Sequence, residues 1–256
     1  MSEKELVTYT RKGRIVELRL NRPEKLNALS HELVAALGDA MYRFDVDADA
    51  WIAMLCGEGR AFCAGADVSS RIGSAAGRGV GRGSKVTVLL NEYENTKPVI
   101  AAVHGYACGA GFRFVLHSDL SVADTTAKFQ LTEIARGLDA SQLWAEMNLR
   151  GFGTFADDLA ITGRACDAQE AYDRGVISRV VPAGKHIEAA HEMAEQVLGN
   201  PPLAVRAMVR TRRSRLRQLE AQTGAVRQER TLHLTNDFRE SVAALKEKRK
   251  PVYTCT

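Results

Sequence analysis

The sequence predicts one α/β domain that carries a helical appendage at its C-terminal end. Val99 to Val103 is a short apolar run, as in a strand that is buried on both faces of a sheet. Ile15 to Leu20 alternates between apolar and polar residues, which is typical of a half-buried strand. Ser30 is a good N-cap for a helix in which apolar residues recur at helical spacing from Leu33 to Phe44. Strands that alternate with helices indicate an α/β fold.

The remaining elements follow the same pattern. Trp51 to Cys56 is predicted as another buried strand, and Phe112 to Leu116 as part of a helix. The pair Asp167 and Glu170 forms a capping box for a further helix, which is followed by a predicted strand, Val176 to Val181. Helical patterns dominate from His186 onward, and the composition changes near residue 200. This change predicts the helical appendage.

Composition and length limit the classes of function. With 256 residues and 45% hydrophobic content, the chain can bury a large core, and no apolar run approaches the ~20 residues of a membrane span. The N-terminal residues are too charged for a signal peptide, so we expect a cytoplasmic protein. A net charge of +4 suits an anionic ligand but is too small to argue for nucleic acid.

The cysteines and histidines give no sign of a metal site. The five cysteines are scattered without CxxC spacing, so we expect reduced, mostly packed thiols. His104 and His117 lack a metal-ligand arrangement and a serine-centred one. Cys63 has no neighbour that would activate its thiol.

A glycine-rich bend follows the run that ends at Val103. Gly109, Ala110 and Gly111 permit a tight backbone path just before the helix predicted at Phe112. The N–H groups at a helix start are unpaired and lie at the positive end of the helix dipole. The bend is therefore a predicted site for stabilising an anion, with Ala66, which follows Gly65, as a candidate second donor.

Residues 71 to 84 are rich in glycine and arginine. The spacing of Gly79, Gly81 and Gly83 resembles a dinucleotide-binding loop, but the segment does not follow a strand in a βαβ unit. A flexible lid is the simpler interpretation.

Several motifs occur together and in order: NRPEKLNAL, GRAFCAGADV, PVIAAVHGYACGAG, SDLSVAD, AKFQLTE and LAITGRACDAQEAYDRGVISRVV. This combination closely resembles the enoyl-CoA hydratase/isomerase (crotonase) superfamily. The resemblance implies a spiral of ββα turns over residues 1–200 and a C-terminal helical trimerisation region over residues 201–256. It also implies a homotrimer or a dimer of trimers. The substrate would be an acyl-CoA thioester, so that coenzyme A enters with the substrate and no separate cofactor is expected.

The resemblance assigns roles to individual residues. Its two oxyanion donors fall on Ala66 and Ala110, where the family usually has glycine at the second position. The backbone N–H survives that change. The part of the pattern that wraps the adenine and pantetheine corresponds to Lys25, Ala28, Ala64, Ala66, Asp67 and Val68. Lys25 is equally well explained as a solvated surface lysine.

The catalytic carboxylates are where the chain departs from the family. Glu133 fills the position at the end of the AxFxxxE motif. Arg113 occupies the position of the other glutamate, and an arginine stays protonated and cannot act as a practical acid or base. One carboxylate remains where hydration normally uses two, which favours double-bond isomerisation over hydration of a 2-enoyl-CoA.

Arg113 and Asp139 have several possible partners. Residues 138–142 replace a PGxGG-like segment of the family, and Asp139 within them could supply the missing acid, pair with Arg113 or cap a helix. Arg113 could also pair with Glu133, or hold a carboxylate of the substrate.

Two alternatives from other classes of function stay open. The arginine-rich stretch from Arg206 to Arg217 could neutralise RNA phosphates, although no aromatic residues interleave the arginines to stack bases. A solvated or intersubunit helix face is the preferred interpretation, so nucleic acid is not the expected partner. The chain could also be a non-catalytic acyl-CoA binder.

Overall fold

The computed structural model describes residues 5–67, 96–227 and 232–256. The strands found there are β1 (Val7–Lys12), β2 (Ile15–Leu20), β3 (Ile52–Gly57), β4 (Val99–Val103), β5 (Tyr106–Cys108), β6 (Leu120–Asp124), β7 (Lys128–Gln130), β8 (Ala165–Asp167) and β9 (Arg179–Val181). The helices are α1 (His31–Val46), α2 (Ala110–His117), α3 (Ser141–Leu149), α4 (Gly153–Thr162), α5 (Ala168–Asp173), α6 (His186–Leu198), α7 (Pro202–Arg227) and α8 (Asn236–Glu247). The predicted α/β class is confirmed.

The main sheet has six strands in the order β1-β2-β3-β4-β6-β9. β1 and β2 are antiparallel, as expected for two strands joined by a tight turn, and the other neighbours are parallel. The strands predicted at Ile15–Leu20 and Val99–Val103 have the predicted bounds, and β3 lies one residue later than predicted.

The parallel part of the sheet is covered on both faces. In β3, Ala53 and Leu55 belong to the core on one side, which includes α1 and α2. Ile52, Met54 and Cys56 belong to the core on the other side, which α6 covers. Two apolar faces explain why β3 and β4 consist of apolar runs rather than alternating residues.

A small second sheet, in the order β5-β7-β8, lies beside the loop that follows β3. β5 and β7 are parallel, and β7 and β8 are antiparallel. A β-bridge joins Cys63 in that loop to Ala107 in β5. The bridge brings the loop next to the start of α2, at the end of β4 where its parallel neighbours also end. Ligands of parallel α/β sheets bind at this edge.

The strand predicted at Val176–Val181 is shorter than expected. The Val176 N–H donates to the Ala171 carbonyl at 2.8 Å and so ends α5. Val176 and Ile177 are buried as part of the core, and pairing with β6 begins only at Arg179. Apolar residues at a helix end therefore gave the same sequence signal as a strand.

Two helix starts agree with the predicted caps. The Ser30 side chain accepts a hydrogen bond from the Leu33 N–H, and Asp167 accepts one from the Glu170 N–H. Beyond α6, the described residues form α7 and α8, while the division at residue 200 stays a prediction. Within the described ranges, none of the helices combines the length and the apolar character needed to cross a membrane.

Candidate active site

The loop after β3 pairs with the segment that precedes α1. The Leu29 N–H donates to the Gly65 carbonyl at 2.8 Å, and the Leu29 carbonyl accepts from the Asp67 N–H at 3.1 Å. In a parallel bridge of this kind the N–H of the intervening residue, Ala66, points away from the segment that carries Leu29. Among the hydrogen bonds of the described residues, none uses the Ala66 N–H as a donor.

The predicted ligand-binding residues lie on these two neighbouring segments. Ala64 donates its N–H to the Leu26 carbonyl at 3.0 Å, and Ala28 donates to the Lys25 carbonyl at 2.9 Å. Ala28 and Ala64 are half-buried, whereas Lys25 is exposed at the end of a short 3-10 turn. The structure therefore brings these three residues together in one region.

Asp67 is an internal contact of the loop. Its Oδ2 atom is 2.7 Å from the Arg22 Nη1 atom, and the side chain is buried. The same Arg22 nitrogen donates to the Ala28 carbonyl at 2.9 Å, so the ion pair joins the two segments. Val68, the next predicted binding residue, lies outside the described residues, as does the glycine-rich stretch 71–84.

Gly65 lies close to the segment that carries the second predicted donor. Its φ of +89° lies in the region that favours glycine, and an added Cβ would lie 2.7 Å from the Cys108 carbonyl oxygen. The same Cβ would lie 3.7 Å from the Ala110 nitrogen. Ala66, the residue after Gly65, is therefore adjacent to the segment that carries Ala110.

Helix α2 begins at Ala110 with no side-chain cap at Gly109. The first N–H groups of a helix have no partner within the helix, and they concentrate the positive end of its dipole. No described residue accepts the Ala110 N–H in a hydrogen bond. Ala66 and Ala110 thus both present backbone donors of the kind that an oxyanion requires.

Glu133 lies against the start of α2. A Cβ added to Gly109, whose φ is +50°, would lie 2.8 Å from the Glu133 Oε1 atom. Burial raises the pKa of the neighbouring Cys108 thiol to about 11, with Arg136 opposing the shift and Glu133 adding to it. Glu133 therefore places a carboxylate directly beside the residue that precedes Ala110.

Arg113 binds a carboxylate that the sequence did not suggest. Its Nε atom lies 2.8 Å and 3.1 Å from the two carboxylate oxygens of Glu146 in α3, and its Nη2 atom lies 2.6 Å from Oε1. Both side chains are buried. The partners considered from the sequence were Glu133, Asp139 or a substrate carboxylate, and Glu146, which makes this forked contact, was not among them.

Glu146 is held by further polar groups. The His117 Nε2 atom is 3.1 Å from Oε2, and the Gln142 amide donates to Oε1 at 3.0 Å. Burial would raise the pKa of Glu146, but His117 and Arg113 together hold it well below its usual range. Glu146 is therefore ionised and engaged within the protein.

Asp139 contacts the first residue of α3. Its Oδ1 atom accepts from the Ser141 N–H at 2.8 Å, and its Oδ2 atom accepts from the Ser141 hydroxyl at 2.9 Å. Such contacts are common where an aspartate precedes a helix. These contacts form a local turn before α3, whose N-cap residue is Ala140, and the roles of Asp139 as a catalytic acid or as a partner of Arg113 stay predictions.

Two arginines of the stretch from Arg206 to Arg217 point inward. Arg212 donates to the carbonyls of Leu116 and Ser118 at 2.9 Å and 2.8 Å, at the C-terminal end of α2. Arg213 is 1% exposed and donates to Asp119 at 2.5 Å. Because these guanidinium groups are used inside the chain, the stretch is neither a continuous surface for phosphates nor a fully solvated face.

Sequence reasoning missed two buried polar residues, Asn27 and Glu146. Asn27 has a φ of +55°, and its amide donates to the Glu58 and Ala61 carbonyls at 2.9 Å and 2.7 Å. Asparagine tolerates this backbone conformation, which was an available signal. The signal for Glu146 was Arg113 itself, because an arginine within an apolar helix requires a buried counter-ion.

The expected thiol state agrees with the structure. Cys56, Cys63, Cys108 and Cys166 are unbridged and buried, and Cys255 is unbridged and exposed. Burial raises the pKa of Cys63 to about 12, so this thiol is not activated. In the part of the chain that the structure describes, no group of three or more potential ligands could hold a metal ion.

Comparison with known proteins identifies relatives over almost the whole chain. The family model described as enoyl-CoA hydratase/isomerase matches residues 10–255. Enoyl-CoA hydratase EchA19 of Mycobacterium tuberculosis is 34% identical over 253 residues, which cover 94% of this chain and 93% of the relative. Carnitinyl-CoA dehydratase of Proteus mirabilis is 34% identical over 203 residues, covering 78% of this chain and 77% of the relative.

Solved structures agree with this result. Carnitinyl-CoA hydratase from Mycobacterium avium has a TM-score of 0.84 and 28% identity, covering 99% of this chain and 100% of that one. An enoyl-CoA hydratase/isomerase from Pseudoalteromonas atlantica has a TM-score of 0.83 and 29% identity, covering 97% and 100%. With its paired loops, its helix start and its matching family model, the chain belongs to the enoyl-CoA hydratase/isomerase family, whose members act on acyl-CoA thioesters.

Proposed function

We propose that this enzyme shifts the double bond of an enoyl-CoA through a thioester enolate. The Ala66 and Ala110 N–H groups hold the enolate oxygen, and Glu133 moves the proton. The observation that carries the proposal is the position of the Glu133 carboxylate against Gly109, one residue before Ala110. A base and an oxyanion donor are thereby placed side by side.

The backbone donors match the charge that develops in the reaction. Removal of a proton from the carbon next to a thioester leaves negative charge on the thioester oxygen. Two preorganised N–H groups and the positive end of α2 stabilise that charge without having to reorganise. Loss of one such donor typically lowers kcat by about 10²–10³-fold.

One carboxylate is sufficient for isomerisation. Glu133 takes a proton from one carbon of the substrate and returns it to another, which leaves the mass of the thioester unchanged. Hydration must also align and deprotonate a water molecule while the α-carbon receives a proton. Arg113 cannot perform that second task, and Glu146 is engaged in an ion pair and has a lowered pKa.

Reversible hydration is the second candidate because relatives are named for it. The names enoyl-CoA hydratase and carnitinyl-CoA dehydratase both describe addition or loss of water. In this chain hydration would need a second acid or base, and Asp139 is the candidate.

Chromatographic separation of the acyl-CoA isomers followed by mass analysis separates these reactions. We expect a panel of 3-enoyl-CoA and 2-enoyl-CoA thioesters to give isomers of unchanged mass, and Glu133→Gln to abolish the conversion. Glu188→Gln, on the exposed side of α6, is the matched control. Products heavier by one water would favour hydration, particularly if Asp139→Asn removed them. Binding of the thioesters without any conversion would indicate a non-catalytic binder.

The trimer or dimer of trimers is also a proposal. Leu203 and Met208 on α7 are 76% and 71% exposed in the single chain, and a neighbouring protomer would cover them. Sedimentation at micromolar concentration should give a trimer or hexamer. A monomer would contradict this proposal.

A further inference from the structure

We infer that Ser241, far along the chain in α8, is a positioning residue for Glu133. Its hydroxyl anchors the short turn that begins at Glu133. Because Glu133 is the proposed base, this inference rests on the proposed function. The C-terminal helical region would then take part in the reaction of its own chain.

The backbone of Glu133 belongs to that turn. Glu133 precedes a short 3-10 helix, Ile134–Arg136, and has helical backbone angles, with a φ of −57° and a ψ of −49°. Its carbonyl accepts hydrogen bonds from the Arg136 N–H at 3.0 Å and from the Leu138 N–H at 2.8 Å. The rotamers open to a side chain depend on its backbone angles. The conformation of residues 133–138, called the base turn below, therefore helps to determine where the Glu133 carboxylate lies.

The base turn is held differently on its two sides. On the side that precedes it, β7 is tied to the start of α2, because the Gln130 carbonyl accepts the Gly109 N–H at 2.9 Å. The turn itself lies at the surface, where Ile134 is 40% exposed and Ala135 is also exposed. At the end of α4, even a Cβ added to Gly163 would only reach an ordinary contact distance, 3.8 Å, from the Ala135 Cβ atom. A turn with so little buried surface needs further contacts to hold one conformation.

Helix α8 supplies such contacts at two successive residues of the base turn. The Ser241 hydroxyl donates to the Arg136 carbonyl at 2.8 Å, and Ser241 is buried. Gly137 has a φ of +66°, and an added Cβ would lie 3.1 Å from the Phe238 Cα atom, so the two backbones are in direct contact. Arg136 and Gly137 are thereby fixed against a single turn of α8.

The Ser241 hydroxyl also has an acceptor within its own helix. The Phe238 carbonyl lies at 2.8 Å from it. In α7 the Ser214 hydroxyl donates in the same way to the Thr211 carbonyl, three positions earlier, at 2.8 Å. Ser214→Ala removes a local bond of this kind alone, whereas Ser241→Ala removes the local bond and the link to the base turn. Ser214→Ala is therefore the matched control.

The test is exchange of the α-protons of butanoyl-CoA in D₂O, measured by mass on the folded variants. Misplacement of a reacting group by about 1 Å can cost about 10²-fold, and one lost anchor should cost part of that. For Ser241→Ala we expect kcat of the exchange to fall about tenfold and KM to stay within about twofold. Deuterium uptake by the backbone amides of the base turn should rise. Ser214→Ala should change none of these quantities.

Gly137→Ala tests the same contact from the side of the base turn. Its Cβ would press on the Phe238 backbone at a φ that disfavours alanine, so kcat should again fall by about tenfold or more. A purely structural role for Ser241 predicts a lower midpoint of urea unfolding with an unchanged kcat of the folded protein. That result overturns the inference, as does an unchanged kcat in Gly137→Ala or equal deuterium uptake in Ser241→Ala and Ser214→Ala.

Glu133→Gln separates this inference from the proposed function. If Glu133→Gln exchanges the α-protons as fast as the unmodified enzyme, the proposed role of Glu133 is wrong and the inference falls with it. If Glu133→Gln abolishes exchange while Ser241→Ala keeps the original kcat, only the inference about Ser241 is wrong.

Discussion

The two ends of α2 differ in whether a side chain binds their backbone groups. At its N-terminus the helix has no side-chain cap, and the Ala110 N–H there is the proposed oxyanion donor. At its C-terminus, Arg212 donates to the carbonyls of Leu116, His117 and Ser118 at 2.9 Å, 3.0 Å and 2.8 Å. Every helix leaves unpaired backbone groups at both ends. Here a side chain of the protein satisfies the C-terminal end, and the N-terminal end has no side-chain cap.

The difference shows how a short helix can serve as a rigid donor. With eight residues, α2 would be marginal in isolation, because helices shorter than about 12–15 residues are barely stable in water. Its C-terminal end is fixed by a cation that also complements the helix dipole, and its middle is fixed by the ion pair with Glu146. The open end can therefore stay in place without a cap of its own.

The largest expected effect comes from removing the open donor. Ala110→Pro deletes the N–H but keeps a residue that suits the first position of a helix. We expect kcat to fall by about 10²–10³-fold, equivalent to about 3–4 kcal/mol of barrier. The control Ala110→Gly retains the N–H and should stay within a few-fold of the unmodified enzyme. An active proline variant with unchanged circular dichroism would show that this N–H is not an oxyanion donor.

The next effect concerns the middle of α2 and pH. The pKa of Glu146 is lowered from 4.5 to about 2 in the folded protein. The ion pair therefore contributes fully above pH 4.5, and its contribution is lost as the pH falls through about 2. Urea unfolding between pH 5 and pH 2 should show a decrease on the order of 3 kcal/mol from this group. Glu146→Gln/Arg113→Met should show a smaller decrease, and an unchanged pH dependence would argue against the ion pair.

A smaller effect is expected from uncapping the closed end. Arg212→Gln removes charge-assisted hydrogen bonds to three carbonyls and should lower the free energy of unfolding by about 2 kcal/mol. The midpoint of urea unfolding measures this, with the m-value unchanged. Arg215→Gln, at an exposed position of the same helix, is the matched control. Equal midpoints for the two variants would show that the cap does not contribute.

The smallest effect tests whether a capped helix start is purely structural. The Ser30 hydroxyl accepts from the Leu33 N–H at 3.3 Å at the start of α1. Ser30→Ala should cost about 1 kcal/mol of unfolding free energy and leave kcat unchanged. A large loss of kcat with intact stability would show that the start of α1 contributes to the reaction. The absence of a cap would then not distinguish α2 from α1.

Hydrophobic spacing and capping residues in the sequence predicted several strands and helix starts. The strand at Ile15–Leu20, the strand at Val99–Val103 and the cap at Ser30 follow from hydrophobic spacing and capping chemistry. The three-residue strands β5, β7 and β8 did not stand out, because so few residues show no period.

Sequence patterns supplied the candidate site residues wherever these depend on the backbone of a single bend. Ala66 and Ala110 were found from glycine-rich bends, and the family motif added Glu133. The partner of Arg113 depends on how α3 packs against α2. Glu146 lies 33 positions after Arg113 in the sequence, and no local pattern around Glu146 indicates this contact. Arg212 is similar, since its acceptors lie about 94–96 positions earlier in the chain.

The burial of four cysteines makes the fifth a specific labelling position. Cys56, Cys63, Cys108 and Cys166 have raised pKa values because they are buried, whereas Cys255 is exposed next to the C-terminus. A maleimide dye should therefore modify the folded protein at Cys255 alone. If the proposed trimer forms, donor and acceptor dyes on separate batches of the unmodified sequence would then report exchange of its protomers by energy transfer, without any engineered cysteine.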